Sequence, residues 1–288
     1  MKHYTYYPGC SAEATAAPLG VSVAPVAKKL DMELIELEDW NCCGSTPYWS
    51  VDKLEAAAMA TRNLALAEKR GFDLVTPCSN CFVILNSTND YLKELPDFKE
   101  KVDKALAAGK MEYNGGVKVR HLAEVLYTDI TPDGIAAKVT KPLKGLKVGA
   151  YYGCQLVRPD GFDDPESPHS LDEIITSLGA DAVDWEMKAR CCGSSLVMPE
   201  QEVALGLVNK LLKNATKNGV ECLITPCPLC QINLDAYQSV VNSQFKTNYN
   251  IPVLFVTQLI GVAMGIPAKE LALSGNIVSP MKVLAPYL

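Results

Sequence analysis

Residues 41–45 read NCCGS and residues 190–194 read RCCGS, and around each pair the chain repeats itself. Upstream lie YPGC at 7–10 and YYGC at 151–154; downstream lie TPCSNC at 76–81 and TPCPLC at 225–230. Cys42 to Cys78 spans 36 residues, and so does Cys191 to Cys227. These motifs are offset by 149 residues between halves, whereas Cys10 and Cys154 are offset by 144. Five extra residues therefore separate Cys154 from Cys191, and RPDGFDDPESPHS (158–170) is the loop expected to hold them. Five cysteines in matching register, twice in one chain, mark a duplication.

The segments between the motifs set the fold class. In the first half HYTYY (3–7), MELIEL (32–37), FDLVT (72–76) and VKVRH (117–121) read as strands. Helices are expected over 18–30, through LEAAAMATRNLALAEKRG (54–71) and through FVILNSTNDYLKEL (82–95), with HLAEVLY following the fourth strand. The second half repeats this with LKVGAYY, ADAVDW, ECLIT and IPVLFV as strands, and EVALGLVNKLLKNATKNG (202–219) as its clearest helix. Strands alternating with helices predict an α/β chain of two tandem repeats. Each is a mostly parallel sheet with flanking helices, the two related by a pseudo-two-fold, with domains at 1–143 and 144–288. About fifteen residues around KVDKALAAGKMEYNGG (101–116) lengthen the first half before its fourth strand.

This layout places the thiols. Each cysteine motif follows a predicted strand, and the carboxyl ends of parallel strands share one edge, where ligands bind. Cys78 and Cys81 fall on the first turn of a helix, hence on one face. Pro228 suits a first helical position, which makes Cys227 the expected cap. Helix N-termini favour thiolates, the metal-binding form.

The chain has 288 residues, 48% apolar and 21% charged, enough for a core in each half. That excludes a disordered chain and a small scaffold dependent on disulfide staples. Net charge is −6 with Lys and Arg scattered, so no nucleic-acid partner is expected. The start, MKHYTYYPGC, has no signal-peptide run, and a cytoplasmic location is expected. Residues 247–268 carry no charge but include Asn248, Asn250, Pro252, Gln258 and Pro267. They read as a buried strand and a buried helix, TQLIGVAMG, rather than a membrane span.

Eleven cysteines in such a chain point to metal binding before disulfides. An odd five per half conflicts with pairing. Structural zinc takes four ligands and would leave one repeated thiolate idle in each half. An iron–sulfur cluster has several irons to anchor, and five thiolates exceed the usual four of a cubane. The excess points either to an unusual cluster or to an open, reactive iron. Cys222 stands outside the pattern, because Asp73 occupies its place in the first half; it reads as a small buried apolar residue. No Gly-x-Gly-x-x-Gly, phosphate loop, His-Glu-x-x-His or Gly-x-Ser-x-Gly occurs, so no flavin or nicotinamide is expected in this chain.

Two Cys-Cys-Gly repeats, each with an upstream Gly-Cys and a downstream Pro-Cys-x-x-Cys, resemble the cysteine-rich domain family. As a pair covering the whole chain they resemble the B subunit of heterodisulfide reductase, with YYGCQLVRP, FDDPESP and the closing TQLIGVAMG in support. The resemblance implies two non-cubane [4Fe–4S] clusters. Cys10, Cys42, Cys43, Cys78 and Cys81 would hold one; Cys154, Cys191, Cys192, Cys227 and Cys230 the other. It implies a catalytic subunit that reduces the mixed disulfide of coenzyme M and coenzyme B at the end of methanogenesis. It implies as partners a ferredoxin-like iron–sulfur subunit that delivers electrons and a flavin-containing subunit that bifurcates them, with a hydrogenase or formate dehydrogenase in the larger complex. Against this stands a non-catalytic electron-transfer or zinc- or cluster-binding scaffold module of another redox complex. On the disulfide reading the substrate lies between the halves, with the longer loop and the fifteen-residue insertion as its unequal walls.

Other residues carry weaker expectations. Gly44 and Gly193 read as turns with positive φ that also let a bound group approach. His121 ends a strand on the motif-bearing edge and reads as a satisfied structural histidine or a hydrogen-bond donor near a cluster. His169 reads as solvated, and Trp40 and Trp185 as core or cover for the sites. Arg158 and Arg190, the bases nearest the second cysteine set, are candidate anchors for an anionic substrate or plain surface arginines.

Overall fold

The computed structural model describes residues 1–159 and 161–288; Asp160, inside the expected long loop, lies outside the described residues. Strands β1 (Lys2–Tyr6), β2 (Met32–Glu36), β3 (Leu74–Thr76) and β4 (Val119–His121) form one parallel sheet in the order β2-β1-β3-β4. Strands β5 (Lys147–Ala150), β6 (Asp181–Val183), β7 (Cys222–Thr225) and β8 (Val253–Phe255) repeat it as β6-β5-β7-β8. In each sheet the strand order reverses between the first and third strands. A crevice opens outside the carboxyl ends at such a switch point. Cys10 and Cys78 follow the two strands that flank it in the first half, and Cys154 and Cys227 those in the second.

The expected helices form at Ala17–Lys29, Lys53–Glu68, Ser79–Glu94 and Gln201–Lys217. Asp52 caps the second of these by accepting from the N–H groups of Leu54 and Glu55. The uncharged stretch near the C-terminus is β8 and the helix Val256–Ala263, wholly buried. Among the described residues no helix is long and apolar enough to cross a membrane. The helix Ser45–Val51 and the 3-10 turn Ser194–Val197, which directly follow the cysteine pairs, were not expected from the sequence.

The largest core is shared between the two halves. One cluster joins Leu19, Val23 and Val26 of the first half to Leu259, Ile260 and Val262 of the second. The helix Ala17–Lys29 lies against Val256–Ala263, and a buried hydrogen bond of 2.7 Å links Ser22 Oγ to Thr257 Oγ1 between them. The pseudo-two-fold mate of this contact sets the helix Ser170–Ser177 against Leu126–Ile130 and Pro132–Ala136. Composition is satisfied equally by one joint core or two, which is why the sequence did not distinguish them. Each half also keeps a smaller cluster behind its own cysteines.

The fifteen-residue insertion is the helix Pro96–Ala108 with its following turn, packed on Lys53–Glu68. It borders an outer groove with Asp39 and Arg62, not the space between the halves.

Cys222 lies on β7, fully buried in the joint core beside Val148, and burial pushes its thiol up to about 12. Cys222→Ala should leave metal content unchanged and cost about 1 kcal/mol in packing. Metal analysis and thermal unfolding of the variant check this; loss of iron would contradict it.

Candidate metal centres

In each half the chain turns sharply before its first cysteine. Gly9 and Gly153 have φ of +76° and +67°. A Cβ on them would stand 3.1 Å from Cys81 Sγ and 3.0 Å from Cys230 Sγ. Only glycine lets the turn before the first cysteine of each set approach the last thiol so closely. Gly44 and Gly193, at +89° and +92°, begin the turns after the cysteine pairs; a Cβ on Gly193 would press on the backbone of Ala204 at 3.0 Å. The turn reading of these two glycines therefore holds.

A buried tyrosine fixes the cysteine pair from behind. Tyr7 donates its hydroxyl hydrogen to the Asn41 carbonyl at 2.8 Å, and Tyr151 does the same to the Arg190 carbonyl at 2.7 Å. Each of these carbonyls immediately precedes a Cys-Cys pair. Each tyrosine also packs on a tryptophan, Trp40 at 5.4 Å and Trp185 at 5.9 Å between ring centroids. The tryptophans are thus cover for the sites. The tyrosine clamp was missed at the level of sequence, although Tyr7 and Tyr151 stand at the same 144-residue offset as Cys10 and Cys154.

The ten repeated thiols gather as two sets. Sγ–Sγ distances are 3.7 Å for Cys10–Cys42, 3.4 Å for Cys43–Cys81 and 3.6 Å for Cys192–Cys230. Cys78 and Cys227 are the caps of the helices Ser79–Glu94 and Pro228–Asp235, with Cys81 and Cys230 one turn in. The sulfurs lie against one another, and among the described residues no three metal-binding groups surround an ion-sized gap. All eleven cysteines are free thiols; Cys10 and Cys191 are exposed, Cys42 and Cys154 half-buried, the rest buried.

The first member of each pair is the favoured thiolate. A hydrogen bond from Cys10 and the N–H groups after the pair hold Cys42 well below the usual thiol range. Cys154, and the Gly193 N–H at 3.3 Å, bring Cys191 down to about 6. Burial, and then the surrounding thiolate charges, push Tyr7 and Tyr151 far up, so both remain neutral hydrogen-bond donors. The two sets also lie near each other: Pro77 and Pro226, the residues before Cys78 and Cys227, line one small void.

The second set opens, through Cys154 and Cys191, on a cleft of about 700 Å³, within the range of small-molecule sites. Thr46, Pro47 and Ser50 line it from the first half; Cys154, Gln155, Cys191, Gly193, Ser194, Ser195, Leu196, Met198 and Pro199 line it from the second. Gln155 Nε2 donates to Thr46 Oγ1 across it at 3.2 Å. The walls are therefore the segments after the two Cys-Cys-Gly motifs. The insertion takes no part, and of the longer loop's neighbourhood only Gln155 does. Among the described residues no cationic side chain lines the cleft. Arg158 is spent on Glu166, the Ala189 carbonyl and the Pro165 carbonyl, and Arg190 is exposed outside the lining. His169 is exposed and paired with Asp163. His121 is fully buried.

The donor chemistry fits an iron–sulfur group. Each set offers five soft thiolates with no carboxylate among them, one more than tetrahedral zinc uses.

Comparison with known proteins agrees with this geometry. Residues 4–86 and 148–235 match the family of the cysteine-rich (CCG) domain. The chain is 36% identical to the membrane anchor subunit of 8-methylmenaquinol:fumarate reductase of Wolinella succinogenes, over 98% of this chain and 99% of that one. It is 34% identical to the B subunit of a ferredoxin/F420H2-dependent CoB-CoM heterodisulfide reductase of Methanosarcina acetivorans, over 90% and 88%. It is 32% identical to a protein of Archaeoglobus profundus described as like the heterodisulfide reductase B subunit, over 97% and 96%. A hypothetical protein from Helicobacter pylori shares the fold with a TM-score of 0.80 at 16% identity, over 96% of this chain and 52% of that one.

Proposed function

The chain belongs to the cysteine-rich CCG domain family, carrying the domain twice, and from that premise we propose that it is the catalytic iron–sulfur subunit of a disulfide-reducing oxidoreductase of the heterodisulfide reductase kind. Each half, 1–143 and 144–288, binds one non-cubane [4Fe–4S] cluster through its five cysteines. One observation carries this reading: two five-thiol sets, one per half, lie near each other, with Pro77 and Pro226 (the residues before Cys78 and Cys227) lining one small void, and a cleft walled by both halves has Cys154 and Cys191 in its lining. Reducing a disulfide takes two electrons and two protons and yields two thiols, and a cluster ordinarily supplies one electron at a time. A substrate in the cleft would meet Cys154 and Cys191 on one side and the segment after the first cysteine pair, Thr46, Pro47 and Ser50, on the other.

The chain's own residues do the positioning. Tyr7 and Tyr151 hold the cysteine pairs from behind, and the Gln155–Thr46 hydrogen bond ties the two walls together. Cys10 and Cys191 are the exposed members of the two sets, and Cys191 lines the cleft. In this reading the mixed disulfide of coenzyme M and coenzyme B is the substrate. Electrons come from a ferredoxin-like partner, itself supplied by a flavin-containing one, in the cytoplasm.

The absence of cations from the cleft lining favours a second reading. An anionic disulfide calls for cations, and the lining has none. Met198 in the lining and Val51 next to Ser50 add apolar surface, each at least 80% exposed. These features suit an uncharged apolar carrier such as the quinol in the name of the Wolinella relative. On that reading the chain passes electrons between quinol and a partner protein. Purified complex should reduce heterodisulfide with an artificial one-electron donor if the first reading holds. Quinol oxidation without disulfide turnover would replace it with the second.

A further inference from the structure

The walls of the cleft obey the repeat, but its thiols do not. At the 149-residue offset Thr46, Pro47 and Ser50 correspond to Ser195, Leu196 and Pro199, and all six line the cleft. The pseudo-two-fold therefore runs through it. Cys154 and Cys191 line it as well, whereas among the described residues their counterparts Cys10 and Cys42 do not. Cys10 is exposed all the same, so its accessible surface lies outside the cleft.

The difference lies in the segments that follow the cysteine pairs. In the first half Ser45–Val51 is a helix of seven residues, and its Trp49 packs on Tyr91 at 5.6 Å between ring centroids. In the second half a single 3-10 turn, Ser194–Val197, takes the helix's place. The counterpart of Trp49 is Met198, 83% exposed and in the lining. The second-half edge is also held in position. The Gly193 and Ser194 N–H groups donate to Cys191 Sγ at 3.3 Å and to Cys192 Sγ at 3.4 Å. Asn233, buried where the first half has Ile84, donates through Nδ2 to the Cys192 and Ser194 carbonyls at 3.1 and 3.0 Å. A thiol edge fixed in this way is preorganised for a ligand.

We propose that the substrate engages the second centre alone, along its Cys154–Cys191 edge, and that the first centre exchanges its electron without touching the substrate. The proposal rests on the cluster reading above and applies to either substrate considered there. For a disulfide, two electrons and two protons break the sulfur–sulfur bond and leave two thiols. One electron comes from each centre, both are replaced by the one-electron donor protein, and the protons come from solvent. A quinol runs the same path in reverse, giving up two electrons and two protons to become the quinone. The first half then has to reach the second set rather than the substrate. Pro77 and Pro226, which line one void of about 10 Å³, bring the two sets near each other for this. Thr46, Pro47 and Ser50 serve as the opposite wall that presses the substrate onto the second set.

The test is electron paramagnetic resonance of the iron-loaded full chain, poised so that its centres are paramagnetic. Cys43→Ala keeps the second-half signal and Cys192→Ala the first-half one; Gly153→Val, which removes no thiol, is a second route to the latter. The probes are the heterodisulfide and menadione, a soluble quinone, at saturating concentration. One of them should change the g values of the Cys43→Ala protein, and neither should change those of Cys192→Ala or Gly153→Val. Met198→Trp puts into the second half the residue found at this position in the first. It should weaken binding of the active probe to the parent chain by at least about tenfold and leave the probe-free signals unchanged. A probe-induced change in Cys192→Ala or Gly153→Val would overturn the proposal and leave the cluster reading intact. So would the absence of any change in Cys43→Ala, or unchanged affinity in Met198→Trp. A parent chain that carries zinc and no iron would overturn both together.

Discussion

Cys192→Ala is expected to keep about half the iron of the parent and to lose heterodisulfide turnover by two orders of magnitude or more, at least about 2.7 kcal/mol in barrier. Cys192 is buried against Cys230 and its loss takes away one of five thiols in the second set. The first set has no thiol to lend, since its own members are engaged with one another. The remaining centre should still accept an electron from an artificial donor. One centre cannot supply a concerted pair across the cleft, so the disulfide bond should stay closed. Cys43→Ala should behave as the mirror image. The joint core lies away from both cysteine pairs, so circular dichroism should report a retained fold for both. Substantial turnover in both single-site variants would mean that one centre suffices and the other serves as a relay.

Gly153→Val should erase the second centre without touching any ligand. The residue sits at φ +67°, which a β-branched side chain rarely adopts, and its Cβ would meet Cys230 Sγ at 3.0 Å. Backbone strain of this kind costs about 1–3 kcal/mol. The Tyr152 and Gly153 N–H groups both donate to the Lys188 carbonyl, so the turn cannot simply swing away. Iron should fall by about half, and the signal of the first half should persist in electron paramagnetic resonance. Full iron content in Gly153→Val would show that the close approach at this turn is dispensable. Gly145→Val offers the comparison: its φ of +80° is similar, but nothing lies within 4 Å of its Cβ.

The cysteine positions were legible because metal chemistry restricts residue type and spacing, and duplication printed the pattern twice. The alternation of strands and helices was legible for the same reason as in any parallel sheet: buried strands such as LVT and CLIT are short, apolar and bounded by turn residues. Contacts between the halves were not legible. Ser22 and Thr257 are 235 positions apart, and no local periodicity announces their hydrogen bond. The same holds for Pro77 and Pro226, which line one void from opposite halves. The walls of the cleft were misjudged because insertion length says nothing about which face an inserted helix covers; Pro96–Ala108 found apolar cover on Lys53–Glu68. The tyrosine clamp lay within reach of the repeat offset, but its role depends on a carbonyl 34 residues away in one half and 39 in the other.

The most direct measurement of the central claim is iron, acid-labile sulfide and zinc per chain, on protein purified without oxygen. Two four-iron clusters predict about eight irons and about eight sulfides per chain, falling to about four of each in Cys43→Ala and in Cys192→Ala. Two zinc ions per chain with neither iron nor sulfide would contradict it.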